Sequence, residues 1–233
     1  MESQRRTACE RARERDTMDN ENKTAAEPAA NADVVDIEKD RMVFVSALTE
    51  TRRPGMDKVV AALGSLGFFE APASSKFHLS VRGGLLRHSI NVWRQARQVA
   101  DAQVAMDPSL AKRLPDDSIR IAALLHDVCK SDVYKSEKRN RRNERGAWEQ
   151  YDAYVADYER IPLGHGEKSV IMLLRLGLEL TMDEILAIRW HMANWDMSDS
   201  MEARSSFSAA CAKCPLLSVI IAADELATRI TEC

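Results

Sequence analysis

An adjacent histidine and aspartate, His126 and Asp127, stand directly after an apolar helical run at residues 119–125. Burial of a carboxylate beside a hydrophobic core costs free energy unless a cation or hydrogen bonds compensate it. The pair offers one nitrogen and one oxygen ligand, which suits a divalent first-row metal. Lys130 follows Asp127 by about one helical turn and can share its face. Taken alone, the pair fits a capped helix end with a hydrogen-bonded histidine at least as well as a metal site.

The other histidines and one further aspartate give this pair candidate partners. The chain has five histidines, and four of them lie on, or immediately before, strongly apolar helical segments. Asp224 follows an apolar run at 216–223, in a helix that should be buried because it is apolar nearly all round. A single buried histidine is more often hydrogen-bonded than metal-bound, but bundles do build metal sites from several helices. In chain order the candidate ligands are His88, His126, Asp127, His165, His191 and Asp224.

Hydrophobic periodicity predicts that helices position these side chains. Thr181 and Glu184 form a capping-box pattern, residues 116–118 supply an N-cap with early negative charge, and Pro215 suits the first position of the last helix. Gly83-Gly84 permits a sharp turn before the helix that carries His88. No segment has a convincing strand period, so the predicted fold class is all-α, a helical bundle. The predicted helices span residues 34–51, 56–66, 85–103, 119–125, 170–178, 185–192, 203–213 and 216–230.

Length and composition fit one good-sized domain with an N-terminal tail. The chain has 233 residues, 45% of them hydrophobic, and only nine Gly and seven Pro, which argues against a loop-rich β architecture. Residues 1–33 are rich in charge and poor in large apolar side chains, so we expect a disordered or loosely held tail there. The domain itself is expected at residues 34–233.

Net charge and cysteine content limit which binding partners and which cellular compartment are expected. A net charge of -3 gives no whole-chain attraction to nucleic acid or to an anionic membrane. No apolar run approaches the roughly 20 residues of a membrane span, and the charged N-terminus lacks the apolar region of a secretory signal. Five scattered cysteines do not resemble a disulfide framework, and the Cys211-x-x-Cys214 pattern, with no second pair, is interpreted as packing. A reduced, cytoplasmic location is the simplest interpretation.

Residues 131–160 form a long segment with a weak pattern, directly after the His-Asp pair. The first half is basic, and the second half carries four aromatic residues. Long loops of this kind are often functional lids, although a solvated insertion explains the same composition.

Five short motifs occur in a fixed order along the chain. They are Gly83-Gly84-Leu85-Leu86-Arg87-His88-Ser89, Ala122-Ala123-Leu124-Leu125-His126-Asp127-Val128-Cys129-Lys130, Gly164-His165-Gly166-Glu167, Arg189-Trp190-His191 and Ala222-Ala223-Asp224-Glu225-Leu226. As a set they resemble the HD superfamily of metal-dependent phosphohydrolases, over about residues 34–233. The Gly-Gly-Leu-Leu-x-His start is similar to a bacterial branch that includes HD domains of 3′–5′ exoribonucleases. That branch usually has Glu in place of Arg87, a difference expected to alter surface charge more than ligation.

The resemblance implies a centre for one or two divalent ions. The first ion would be held by His88, His126, Asp127 and Asp224. Asp127 would bridge to a second ion held by His165 and His191. Nitrogen and oxygen ligands without thiolate fit Fe, Mn, Mg, Ni or Zn. Such ions would polarise a phosphoryl oxygen and activate a water molecule.

The resemblance also implies a substrate and a set of residues that would contact it. Asp127 and Lys130 would be catalytic, with Lys130 meeting the substrate phosphate. The entrance would be lined by His78, Lys76 and Arg82, and the basic stretch with Lys135 and Arg139 would suit phosphates and a stacked base.

The expected activity is hydrolysis of a phosphate mono- or diester of a nucleotide or nucleotide-like molecule. Two alternatives stay open: a catalytically silent nucleotide-binding sensor, and a 3′–5′ nuclease on single-stranded ends. The basic stretch favours the nuclease, and the net acidic charge disfavours it.

Overall fold

The structure, a computed structural model, describes residues 35–143, 145–156, 163–193 and 198–233, without the side chains of residues 132, 136, 152 and 156. The predicted helical class is confirmed, since eight α-helices dominate the described part. The tail predicted at residues 1–33 lies outside the described residues. The helices are α1 (Ile37–Thr49), α2 (Met56–Ser65), α3 (Gly84–Met106), α4 (Asp116–Leu125), α5 (His165–Arg175), α6 (Met182–Trp190), α7 (Met201–Lys213) and α8 (Pro215–Leu226).

Helices α3, α4 and α8 form the centre of the domain. Helix α3 packs against both α4 and α8, and α6 packs against α4, α5 and α8. The interior between them is apolar and includes Leu86, Ile121, Leu124, Ile188 and Ile220, all fully buried. Because these helices are neighbours, polar side chains at their ends can meet at one place.

Local sequence signals set several helix ends. Thr181 Oγ1 accepts a hydrogen bond from Glu184 N at 3.2 Å, and the Glu184 carboxylate accepts one from Thr181 N at 2.8 Å, which confirms the predicted capping box. Pro215 opens α8, as predicted. The N-cap predicted at residues 116–118 is wrong, because α4 already begins at Asp116 and Ser118 instead donates to Glu184 at 2.6 Å.

The turn before α3 depends on the two glycines that the sequence analysis selected. Gly83 has a φ of 78°, in the left-handed region that favours glycine. A Cβ atom on Gly84 would lie less than 3.0 Å from the carbonyl oxygen of Leu79. The chain can therefore turn closely into α3, whose second turn carries His88.

Residues 131–160 contain a β-hairpin that the sequence analysis did not predict. Strand β1 (Tyr134–Arg142) pairs antiparallel with β2 (Trp148–Ala156). In the turn, the Asn143 side chain accepts hydrogen bonds from Arg145 N at 3.1 Å and Ala147 N at 3.0 Å. The expectation of a segment without strands was wrong because β1 has polar residues on both faces. Such a strand lacks the apolar alternation that marks a half-buried one.

Arg87, which was expected to alter surface charge more than ligation, makes an ion pair inside the fold. Its guanidinium pairs with Asp40, a buried carboxylate of α1. The pair joins α1 to α3 one residue before His88, so Arg87 helps to hold the two helices together.

Membrane spans and disulfides were not expected from the composition. None of the described helices has by itself the length and apolar character needed to cross a membrane. Helix α7 and the segment Pro215–Thr231 reach that character only when taken together, and the chain bends by 103° between them. The four cysteines in the described part of the chain are free thiols.

Glu184 is a fully buried carboxylate that joins three parts of the fold. Arg53, in the connection between α1 and α2, donates to its two oxygens at 2.7 and 2.8 Å. Ser118 of α4 donates at 2.6 Å, and the backbone of Thr181 at 2.8 Å. Four hydrogen bonds therefore compensate the burial of this charge.

We predict that Glu184→Ala lowers the free energy of unfolding by about 3 kcal/mol, because it leaves the largely buried Arg53 without a carboxylate to balance its charge. Glu149→Ala breaks the surface pair with Arg141 on the hairpin and should change stability by less than about 0.5 kcal/mol. Urea denaturation followed by circular dichroism measures both. Equal losses for the two variants would contradict the role assigned to Glu184.

Candidate metal centre

Asp127 is a buried carboxylate at the turn after α4, and its two oxygens face different neighbours. Oδ2 lies 3.3 Å from His126 Nε2 and 3.7 Å from His88 Nε2. The same oxygen lies 2.6 Å from Lys130 Nζ, whose side chain is also buried. The predicted approach of Lys130 to Asp127 is thus present in the structure.

The second oxygen of Asp127 faces the other side of the cluster. Oδ1 lies 2.7 Å from His165 Nε2 and 3.4 Å from His191 Nε2. The rings of these two histidines lie 5.7 Å apart, centroid to centroid. Asp127 therefore stands between two pairs of imidazoles, with one oxygen directed to each pair.

The ends of α4 and α6 orient two of the histidines in the same way. His126 follows the last residue of α4, and His191 follows the last residue of α6. His126 Nδ1 lies 2.8 Å from the carbonyl oxygen of Ala123, and His191 Nδ1 lies 2.7 Å from that of Ile188. The last carbonyls of a helix have no partner within it, so they are available to accept these bonds. Each imidazole then carries its proton on Nδ1 and turns the lone pair of Nε2 toward Asp127.

Asp224 reaches the same region from α8, at the end of the apolar run that predicted its burial. Its Oδ1 lies 3.3 Å from His88 Nε2. Ligand atoms of His88, His126 and Asp224 all lie within 4.8 Å of one another. Helices α3, α4 and α8 thus contribute one group of candidate ligands.

His165 is the first residue of α5 and depends on a close approach of α5 to α6. A Cβ atom on Gly166 would lie less than 3.0 Å from the carbonyl oxygens of Arg189 and Ile188. The missing side chain lets the start of α5 reach the end of α6, and this contact places His165 beside His191. Behind the ring, His165 Nδ1 lies 3.4 Å from the Cys129 sulfur, while Nε2 faces Asp127.

The carboxylates of the cluster are charged. Burial by itself would raise the pKa of Asp127, but Lys130 and the surrounding histidines outweigh it and hold that pKa well below its usual range. Burial also opposes ionisation of Asp224, and its hydrogen bond and charge interaction with His88 hold the pKa below its usual range. Two negative charges in a protein interior require positive charge close by.

The histidines divide into two electrostatic classes. Burial lowers the pKa of His191 and keeps the ring neutral, which leaves a lone pair for a cation. Burial also acts to lower the pKa of His88 and of His165, but interactions with neighbouring groups outweigh it at both residues. Hydrogen bonds to Asp224 and Glu232 raise the pKa of His88 to about 9. Cys129 and Asp127 raise that of His165 to about 10, so protons and a cation compete for these two rings.

The donor set fits a divalent cation. The Nε2 atoms of His126 and His191 are buried without a hydrogen-bond partner, although buried polar atoms normally have one. Both atoms face the Asp127 carboxylate, so a cation beside it would satisfy them. Three groups around this carboxylate have ligand atoms within 4.8 Å of one another: His88, His126 and Asp224; His126, Asp127 and His191; and Asp127, Cys129 and His165.

The residues predicted to meet substrate lie in different surroundings. His78 packs against the cluster, with its ring centroid 5.0 Å from that of His88. On the exposed surface, Arg82 pairs with Glu70, and Arg139 pairs with Glu137. Lys76, in the loop before α3, and Lys135, on β1, are exposed.

The sequence analysis missed two residues that contact the imidazoles. Cys129 appeared only as part of a motif, and it is a buried residue whose sulfur lies beside His165 Nδ1. Glu232 was not considered, yet both of its carboxylate oxygens lie 3.1 Å from His88 Nδ1. No pattern marks Glu232 in the sequence, because it follows the last apolar helix by several residues.

Comparison with known proteins agrees with the family that the motifs indicated. The model of the HD domain family matches residues 85–229, more than half of the chain, and the chain therefore belongs to this family. All six candidate ligands fall within the matched range. A dihydroneopterin 2′,3′-cyclic phosphate phosphodiesterase from Methanocaldococcus jannaschii is 34% identical over 89 residues. That match covers 38% of this chain and 32% of the relative's length. No solved structure is significantly similar to the chain.

We predict that Gly166→Ala weakens metal binding, because the added Cβ must push α5 away from α6 and move His165 from His191. Gly64→Ala is the matched control, since a Cβ there meets no atom within 4 Å. Equilibrium dialysis against Mn²⁺ should show at least about a tenfold higher Kd for Gly166→Ala, in the range seen when groups that orient ligands are lost. Unchanged Mn²⁺ affinity in Gly166→Ala would contradict the close approach as the reason for this glycine.

Proposed function

We propose that the protein is a metal-dependent phosphohydrolase that cleaves a phosphate ester of a nucleotide or nucleotide-like molecule. One observation carries the proposal: four imidazole Nε2 atoms surround the carboxylate of Asp127, all within 3.7 Å of it. Membership of the HD domain family and the partial match to a phosphodiesterase support it. One or two ions of Mn, Fe, Mg, Ni or Zn suit such donors.

The proposed ligand assignment follows the two oxygens of Asp127. One cation position is assigned to His88, His126, Asp127 and Asp224. A second is assigned to His165 and His191, with Asp127 between the two positions. Ions bound there would act as Lewis acids on the phosphoryl oxygen and would lower the pKa of a bound water. Cys129 is not assigned as a ligand, since its sulfur lies at the far nitrogen of His165.

Lys130 and His78 are proposed to contact the substrate phosphate. Lys130 is buried, and its charged neighbours raise its pKa above the usual range despite that burial, so it stays an ammonium ion. A buried ammonium group is a strong electrostatic partner for a phosphate. Burial and the nearby His88 lower the pKa of His78 to about 4, so its ring is neutral near pH 7. Its buried Nε2 has no hydrogen-bond partner and can donate to, or accept from, the substrate.

The proposed substrate class is a phosphate mono- or diester attached to a heterocycle. The name of the Methanocaldococcus jannaschii relative says that it acts on a 2′,3′-cyclic phosphate of dihydroneopterin. A cyclic diester is therefore the first compound class to test. Lys76, Arg82, Lys135 and Arg139 are exposed and are proposed to guide a phosphate toward the cluster.

A substrate panel tests the proposal. Metal-free protein receives Mn²⁺, Fe²⁺, Mg²⁺, Ni²⁺ or Zn²⁺ and is assayed with nucleoside 2′,3′-cyclic phosphates, nucleoside monophosphates and p-nitrophenyl esters. We expect hydrolysis of at least one ester class that depends on the added ion. Stoichiometric metal binding with no hydrolysis of any compound would instead favour the silent sensor.

Within this panel, Asp127→Asn should lower kcat/KM and weaken metal binding by more than about 100-fold, since loss of an outer-shell partner alone costs 10–100-fold. The amide has the same shape but lacks the charge that both pairs of histidines face. Asp101→Asn, at an exposed position on α3, is the control and should behave as wild type. Full activity in Asp127→Asn would overturn the assigned centre.

Lys130→Ala should lower kcat/KM by about 100-fold, the scale expected when one charged group that stabilises the transition state is removed. Because Lys130 is not a ligand, the number of bound ions should not change. Lys39→Ala, which removes an exposed lysine of α1, provides the comparison. Turnover equal to wild type in Lys130→Ala would exclude its role at the phosphate.

A further inference from the structure

Glu232 reaches His88 because the chain widens its helical turn after α8. Residues Ala227–Thr231 form one π-helical turn, in which Glu232 N donates to Ala227 O, five residues back, at 3.0 Å. In a continuous α-helix at 3.6 residues per turn, Glu232 would point about 80° away from Asp224. The wider turn removes this offset, and both carboxylates contact the same imidazole. Single π-helical turns often occur at functional sites.

The contact between Glu232 and His88 is closed off from solvent. Both side chains are 1% exposed, and both Glu232 oxygens lie 3.1 Å from His88 Nδ1. Asn91, one helical turn after His88 on α3, donates its amide to Glu232 Oε1 at 3.0 Å. Helix α3 thus supplies both the ring and a second donor that holds the carboxylate in place.

The chemistry of imidazole determines what this contact does. A neutral imidazole has one protonated nitrogen and one lone pair. Glu232 faces two nitrogen atoms, His88 Nδ1 at 3.1 Å and the Asn91 side-chain amide at 3.0 Å, and its carboxylate oxygens can accept from both. An acceptor at Nδ1 keeps one proton on that nitrogen, so when a cation displaces the other proton, the lone pair belongs to Nε2. That atom lies 3.3 Å from Asp224 Oδ1 and 3.7 Å from Asp127 Oδ2.

We propose that Glu232 is a positioning residue of the metal centre: it holds the Nδ1–H tautomer and the ring orientation of His88, so that Nε2 donates to the cation shared with Asp224. The proposal rests on the proposed function, because it concerns the same cation position. Carboxylates that accept from the second nitrogen of a metal-bound histidine also increase its basicity. His126 and His191 have neutral carbonyls in this place, so His88 is the histidine with the strongest support.

A different role for Glu232 is that of a ligand. His78, His88 and Glu232 have ligand atoms within 4.8 Å of one another and could surround an ion of their own. His88 would then have to offer lone pairs on both nitrogens, which requires the loss of both ring protons. Asn91 already occupies one oxygen of Glu232, and His78 Nε2 lies 3.9 Å from the other. These contacts favour the positioning role.

Mn²⁺ binding to the full chain distinguishes the two roles. Glu232→Gln keeps the shape and can still accept from Nδ1–H, but lacks the charge. We expect the same number of bound Mn²⁺ ions as in wild type, with a Kd 10–100-fold higher at the position that includes His88. Glu225→Gln is the matched control, a solvent-exposed carboxylate next to Asp224 that pairs only with Arg229 among the described contacts. Its Mn²⁺ affinity should equal that of wild type.

Further variants distinguish a loss of Mn²⁺ affinity from a loss of folding. Asn91→Ala leaves Glu232 in place but removes its second donor, and should raise the Kd by about fivefold. Glu232→Asp should recover part of the affinity lost in Glu232→Gln. Circular dichroism of each metal-free variant at the temperature of the binding assay shows that it is folded, so that Kd values are compared between folded proteins.

Two results would overturn the positioning role. One is an unchanged Kd in Glu232→Gln and in Asn91→Ala. The other is the loss of one bound ion in Glu232→Gln, which would make Glu232 a ligand. The wild-type protein tests the proposed function separately: Mn²⁺ binding without ester hydrolysis would reject the hydrolase, and the affinity comparison between variants would still stand.

Discussion

The buried charge of Asp127 is the constraint on which the rest of this structure depends. An ionised carboxylate in a protein interior carries a penalty of several kcal/mol unless charges and hydrogen bonds close by repay it. Lys130 provides one full positive charge at 2.6 Å, and the four imidazoles provide the remaining contacts. These imidazoles come from α3, α5 and the ends of α4 and α6, so no single helix could supply them. The helices must therefore pack with their ends at a common point, and that point is the candidate centre.

Helix ends make this convergence chemically useful. A helix leaves its last carbonyls without internal partners, and His126 and His191 use those carbonyls to fix their proton on Nδ1. At the N-terminus of α5, the absence of a side chain on Gly166 lets this helix begin against the end of α6, which brings His165 into the cluster. Backbone groups that would otherwise be unsatisfied thus orient the side chains that carry the chemistry. The same packing that builds the core also sets the direction of each lone pair.

The histidines differ in what supports them from behind, and this makes the centre asymmetric. Main-chain carbonyls support His126 and His191, a thiol supports His165, and a carboxylate supports His88. A charged acceptor increases the basicity of an imidazole more than a neutral one does. The two sides of Asp127 therefore offer unequal donor strength to a cation. This inequality is a property of the outer contacts, since all four histidines present the same atom, imidazole Nε2, to Asp127.

The sequence by itself determined the helical class, the capping box at Thr181 and the order of the six candidate ligands, because these depend on periodicity and on short-range hydrogen bonds. It did not reveal the hairpin, because β1 is polar on both faces and has no apolar period. Only the tertiary structure decided which atoms meet: the division of the Asp127 oxygens between two pairs of rings, and the approach of Glu232 through a π-helical turn. Contacts between residues far apart in the chain depend on how the helix ends pack, and a local sequence pattern does not determine that packing.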